Sequence, residues 1–264
     1  MAVPGDDSIA VGASRGPLAD PIAEGRRLVA AATRKGLTMR LLGGVAVCVQ
    51  SPPEGPLLPR TIGDVDLATQ RGNRSATTEL LLQAGYAGDE MFNVLHGARR
   101  LLFYDDANGR KLDVFLGEFS MCHSIPIADR LDHDPLTIPL AELLLTKLQV
   151  VQLNERDQRD IYSLSFQHPL CEIGGIGIEA PFIADLCAKD WGLWRTSKAT
   201  IEKCVANLHD YSLPDATSGL ITDRLKDLWR RIDASPKSGR WKLRSRVGDR
   251  MRWYDEPEET AAAH

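Results

Sequence analysis

Long apolar runs are missing from this chain. No window of its 264 residues approaches the roughly 18 apolar residues that a spanning helix needs, so no membrane segment is expected. The first residues, MAVPGDDSIAVGASRGP, lack a basic start followed by an apolar stretch, so no signal peptide is expected either. Cysteines are few and scattered: Cys48, Cys122, Cys171, Cys187 and Cys204 form no CxxC pair, which suggests neither a zinc site nor a disulfide framework. Five reduced thiols in a cytoplasmic protein are expected. Neither sign of charge predominates, since 32 Lys and Arg against 36 Asp and Glu leave a net charge of -4; nothing there points to a protein that coats nucleic acid. What remains is an ordinary soluble composition, long enough for one large or two modest domains with a real core.

Residues 1–17, rich in small residues, glycine and proline, are expected to be a disordered leader. Asp20-Pro21 supplies an N-cap and a first-turn proline, and Gly36 a C-terminal stop, for a first helix carrying Ile22, Leu28, Val29 and Ala32. MRLLGG (39–44) reads as a strand entering a tight turn. VAVCVQ opens a helix, against the preference of its β-branched residues. A proline-rich loop (51–60) precedes an expected strand at 61–69, and a helix covers 75–84, ending at Gly85. NVLHGARRLLFYD and RKLDVFL, joined through Asp106-Ala107-Asn108-Gly109, read as a β-hairpin, because Asn-Gly favours a tight reversal. From Pro139 the pattern turns helical, over 140–153, 156–166, 179–190, 197–209 and 219–233. An α/β first half thus meets a helical second half near residue 135, and no internal repeat is present.

Asp64 and Asp66 stand two apart on the expected strand, so both carboxylates share one face while Val65 and Leu67 face the core. Neighbouring carboxylates repel and raise one another's pKa unless a cation lies between them, and hard oxygen ligands suit magnesium or manganese. Asp113 lies inside the apolar run LDVFL, where a charge needs a partner. Leu140, Leu143, Leu144, Lys147 and Val151 follow one helical stripe, which puts Lys147 in or beside the buried face. Its partner there is an acid such as Asp160 or the phosphates of a ligand, unless its stem carries it to solvent.

The order of these features carries more than any one of them: a strand ending in Gly43-Gly44, a DxD strand about twenty residues on, then a lone Asp on a hairpin strand. In LLGGVAV, RTIGDVDLAT and KLDVFL the chain resembles the nucleotidyltransferase superfamily, with its hG[GS], [DE]h[DE]h and third acid. Arg60 and Thr61 ahead of the acids are similar to the branch containing aminoglycoside and lincosamide nucleotidyltransferases and the abortive-infection (AbiEii-type) toxins. AELLLTKLQ, with Glu142 and Lys147, and QRDIYSL, with Asp160, match the toxin-like branch, which usually has a second acid where Ser163 stands here. The resemblance covers roughly residues 37–165.

It implies an α+β (α/β-type) fold, with a nucleotidyltransferase domain over 18–135 whose mixed sheet is flanked by helices. A helical domain follows over 136–235, then a basic and finally acidic tail over 236–264. It also implies a chemistry. Asp64, Asp66 and Asp113 hold Mg²⁺ or Mn²⁺, two ions in all, and Gly43, Gly44, Arg60, Thr61 and Lys147 bind an NTP. Together with Lys147 and Asp160, the three acids form the catalytic set. Asp113 serves either as general base or as a metal ligand. The acceptor hydroxyl belongs to RNA, such as a tRNA end, or to a small molecule such as an antibiotic or metabolite. A toxin of this kind has a separate antitoxin protein as partner. A non-catalytic nucleotide- or partner-binding module on the same fold is the competing class.

Other residues invite weaker readings. Cys122-His123 is expected to be structural, while one of His96, Arg99 and Arg100 is a candidate to touch the nucleotide. IGGIG (173–177) fits no phosphate-loop pattern and reads as a flexible turn. The tryptophans of DWGLWRT (190–196) serve core packing or the wall of an acceptor site. Residues 224–252 hold eleven Lys and Arg against three Asp, with Trp229, Trp241 and Trp253 nearby, a pattern either of RNA contact or of a solvated basic stretch.

Overall fold

The computed structural model describes residues 16–256, so the expected leader, but for its last two residues, and the final acidic residues 257–264 lie outside it. The first helix begins as its cap residues dictate. The Asp20 carboxylate accepts from the Ala23 N–H at 2.6 Å, Pro21 occupies the first turn, and α1 (Pro21–Arg34) ends before Gly36, whose φ is +70°. Next come β1 (Met39–Leu42) and α2 (Gly43–Gln50). The β-branched residues of α2 are helical because Gly43 to Val47 are buried; tertiary packing overrides propensity there.

The sheet continues with β2 (Val65–Thr69), crosses α3 (Arg74–Gln83), and takes up β3 (Ala87–Gly88), α4 (Glu90–Leu95), β4 (Arg100–Asp105) and β5 (Arg110–Leu116). Strand order is β1-β2-β5-β4-β3. Only β2 and β5 run parallel; the other neighbours are antiparallel, which makes the sheet mixed. A small hairpin of β6 (Glu118–Ser120) and β7 (Ser124–Pro126) extends from β5.

Two expectations fail here for local reasons. The DxD strand begins at Val65 rather than at 61, because β1 turns into α2 at Gly43 and its last pair is Leu42 with Asp66. Residues 61–64 therefore have no strand on that side, and Asp64 is exposed. The first part of the expected hairpin is the helix α4. Asp89 caps it by accepting from the Phe92 N–H at 2.9 Å, and the Asn93 amide bonds both the N–H and the C=O of Leu102, standing in for a strand neighbour.

The second half is helical: α5 (Leu140–Leu148), α6 (Glu155–Gln167), α7 (Ala180–Lys189), α8 (Trp191–Asn207), α9 (Asp215–Ala234) and α10 (Gly239–Ser245). α5 stops five residues short of expectation, and α8 starts six residues early because Asp190 accepts from the N–H groups of Gly192 and Leu193. The short parallel strands β8 (Leu170–Cys171) and β9 (Ile178–Glu179) bracket the IGGIG turn, where Gly174 and Gly177 have positive φ. One hydrophobic core runs through both halves, from Leu28 to Ile232. Residues 136–138 tie them further, since Leu136 and Ile138 exchange backbone bonds with Leu41. No helix among the described residues is long and apolar enough to cross a membrane.

Candidate active site

The sheet register brings two of the expected acids together. In the parallel β2–β5 pair Asp66 stands beside Asp113, and Leu42, the last residue of β1, lies on the other side of Asp66. Neighbouring residues in register share a face, and both acids line a cleft of about 320 Å³ with Gly43, Arg100 and Lys147. Gly43 is required twice over. Its φ of +66° favours glycine, and a Cβ there would run into the Asp66 carboxylate. Gly44 does not line the cleft; a Cβ on it would meet the Arg60 guanidinium.

Asp66 meets no hydrogen-bond donor among the described residues. Burial first, and then the charge of Asp113, push its carboxyl up to about 7; Lys147 opposes that rise, Asp64 adds to it, and Arg100 opposes it. Asp113 is only 7% exposed and is held from β4, where Arg100 Nε donates to its Oδ1 at 2.8 Å. Arg100 in turn lies near the rings of Phe92 and Phe115, 5.5 and 5.3 Å from their centroids.

Lys147 closes the cleft from the end of α5. Its ammonium stands 3.0 Å from Asp160 and 3.2 Å from Asp157, both on α6. Asp160 also accepts a fork from Arg60, Nε and Nη2 each at 2.8 Å. Burial pushes the Asp160 carboxyl up, but the bonds from Arg60 and the Lys147 charge outweigh it and hold it low. Lys147 is likewise raised by its two acids, against burial. Arg60 and Asp160 thus form a layer behind the cleft, which fixes Lys147 at its wall.

The remaining expected site residues fall elsewhere. Asp64 and Thr61 are exposed in the segment ahead of β2 and do not line the cleft; the Thr61 carbonyl accepts from Arg60 at 3.2 Å. Among the described residues no group of three His, Cys, Asp or Glu is gathered closely enough to hold a metal ion. The arrangement therefore assembles two acids of the expected three. Their oxygens are still a donor set for a hard cation: both Asp66 oxygens and Oδ2 of Asp113 meet no donor among the described residues.

Sequence reasoning gave Arg100 only as one of three candidates, and did not single out Asp157, Gln149 or Phe119, which also line the cleft. The signal for Arg100 was present: a carboxylate within LDVFL needs a cation, and Arg100 lies diagonally across the β4–β5 pair, where Leu102 opposes Asp113.

His123 packs between the sheet half and α8. It is buried, its ring accepts or donates at Thr196 Oγ1 over 2.8 Å, and burial lowers its pKa. All five cysteines are free. The tryptophans of 190–196 and of the basic stretch pack on one another. Trp194 meets Trp229 and Trp241, Trp191 meets Trp253, and Lys198, Lys237, Arg195 and Arg244 lie over their faces. The expected tail is folded back on the protein: α10 packs against α7 and α8, and Trp253 Nε1 donates to Thr196 Oγ1 at 3.1 Å. Beside it lies a second cavity of about 570 Å³, lined by His123, Asp190, Trp191, Arg240 and Trp253, which shares Cys122 with the acidic cleft.

No protein-family model matches this chain, and no curated protein matches it. What stands without them is a mixed α+β protein, its five-stranded sheet flanked by helices and followed by a helical region.

Proposed function

We propose that the chain is a metal-dependent nucleotidyltransferase that passes a nucleoside monophosphate from an NTP to an acceptor hydroxyl, with pyrophosphate leaving. The observation that carries this is the pair Asp66 and Asp113, in register on parallel strands beside the Gly43 turn, three of whose four oxygens meet no donor among the described residues. Two such carboxylates on one cleft wall are costly unless a cation joins them.

Asp66 and Asp113 would hold the ion, and Asp64 would join only from the exposed segment ahead of β2. A divalent cation, Mg²⁺ or Mn²⁺, supplies charge neutralisation for the triphosphate and the leaving pyrophosphate when bound. Gly43 leaves room for the triphosphate beside Asp66 because it carries no side chain. Lys147, held by Asp157 and Asp160, presents fixed positive charge at the wall. Asp113, at the same cleft wall, orients the acceptor hydroxyl. The second cavity, which shares Cys122 with the cleft, is the place we assign to the acceptor. That acceptor is RNA, such as a tRNA end, or a small-molecule hydroxyl, and a toxin role would add an antitoxin partner.

The test is transfer of label from each α-labelled NTP, with Mg²⁺ or Mn²⁺, to total tRNA and to an aminoglycoside and lincosamide panel. Label in one acceptor class, lost in Asp66→Asn and Asp113→Asn, supports the proposal and names the class. Absence of transfer together with absence of NTP binding would leave the non-catalytic module as the better reading.

A further inference from the structure

The short helix α4 has its apolar face turned the wrong way. Its inward side chains are Phe92, 8% exposed, and Asn93, whose amide bonds Leu102 on β4. Met91, Val94 and Leu95 stand at i, i+3 and i+4, one face of a helix, and are 76, 80 and 69% exposed. A surface helix ordinarily buries such a stripe. No other stretch this short among the described residues exposes three large apolar side chains. Contiguous apolar surface of this kind marks contact with another molecule.

The charges around this face decide what that molecule is. Glu90 is exposed at the N-terminal end of α4. Arg74 and Arg99 stand at the C-terminal end. Arg74 donates to the Asn93 carbonyl at 2.9 Å, and a Cβ on Gly97 would meet its guanidinium. Arg99 shares Glu118 with Arg71, so three guanidiniums stand against one carboxylate and that end stays basic. A face ringed by one sign of charge would repel a copy of itself. This one is acidic at one end and basic at the other. A second copy lying antiparallel brings each Glu90 to the arginines of the other copy, twice about a two-fold axis. The opposed helix dipoles favour the same arrangement.

We propose that the outer face of α4 is the contact by which two copies of this chain associate, antiparallel and about a two-fold axis. A stable dimer buries about 800 Å² on each partner, more than three side chains supply, so the association is of the weak class, half complete at about 10–100 μM. On its inner side α4 sets Phe92 5.5 Å from the Arg100 guanidinium, so the contact lies behind the pair that Arg100 makes with Asp113. Association needs neither nucleotide nor metal, and it stands or falls apart from the proposed reaction.

Sedimentation equilibrium of the full chain tests this. The native chain should pass from monomer to dimer across that range, and Val94→Lys, a change at an exposed side chain, should stay monomeric at about 1 mM. Glu90→Arg and Arg99→Glu each set like charges at both ends of the contact, so each alone should associate about tenfold more weakly or worse. Mixed in equal amounts, the two variants should associate as the native chain does, because every junction then joins opposite charges. Recovery in the mixture separates the contact from damage to the fold. A native chain that is monomeric at about 1 mM would overturn the proposal and leave the face to a different protein. A dimer that survives Val94→Lys would place the contact elsewhere, and a mixture that stays dissociated would remove the antiparallel pairing; either result overturns the proposal.

Discussion

At the scale of single residues, Asp66 works against the stability of the protein without its ligands. Its carboxyl titrates at about 7 when folded, against about 4 in an unfolded chain. Folding therefore takes up a proton between those values, and stability falls as pH rises from about 4 to about 7. Asp66→Asn should raise stability at pH 8 by about 4 kcal/mol in urea titration, coincide with the native chain near pH 4, and lose the proposed nucleotidyl transfer. An equally stable variant at pH 8 would mean that neither burial nor the charge of Asp113 raises the Asp66 carboxyl. Gly43→Ala acts in the opposite sense: positive φ alone costs an alanine about 1–2 kcal/mol, and its Cβ would push the Asp66 carboxylate aside. It should lower both the urea midpoint and Mn²⁺ affinity. The residues legible in sequence were those whose chemistry is forced locally, Gly43, Asp66, Asp113 and Lys147. Asp64 and Thr61 were misplaced because spacing says where a side chain points on a strand, not where the strand starts.

Among elements, α5 and α6 form the rigid backing of the cleft. Asp160 on α6 is the hinge pin of that backing, bonded to Arg60 from the proline-rich loop and to Lys147 from α5. Asp160→Asn leaves two cations facing one neutral amide in a buried site, so it should cost about 3 kcal/mol or more in urea denaturation. It should also weaken the proposed nucleotide binding, because Lys147 would keep only Asp157 to hold it at the wall. No change in either measurement would make Asp160 dispensable. Helices with caps and stripes of their own, such as α1 and α6, were readable from the chain, and α3 from the Gly85 that stops it. α4 was not, because Asn93 takes its role from Leu102 on a strand it does not belong to. The early start of α8 was missed because its first residues, Trp191 and Leu193, are apolar for the sake of neighbours in the helical region.

Across the whole molecule, the parallel β2–β5 pair joins segments separated by α3, β3, α4 and β4. Parallel pairing of distant segments is formed slowly, because loop closure must precede any gain from contacts. Asp66 and Asp113 become neighbours only when that pair closes, and their mutual repulsion opposes its closing above about pH 7. The unfolded chain thus offers a divalent ion no ready partner, and the binding energy arrives after the rate-limiting step has been crossed. Mn²⁺ should leave the refolding arm of a chevron plot unchanged and slow the unfolding arm, so that the ion acts as a lock on the native state rather than a guide toward it. Faster refolding with Mn²⁺ would place the two strands together earlier than their separation in the chain implies.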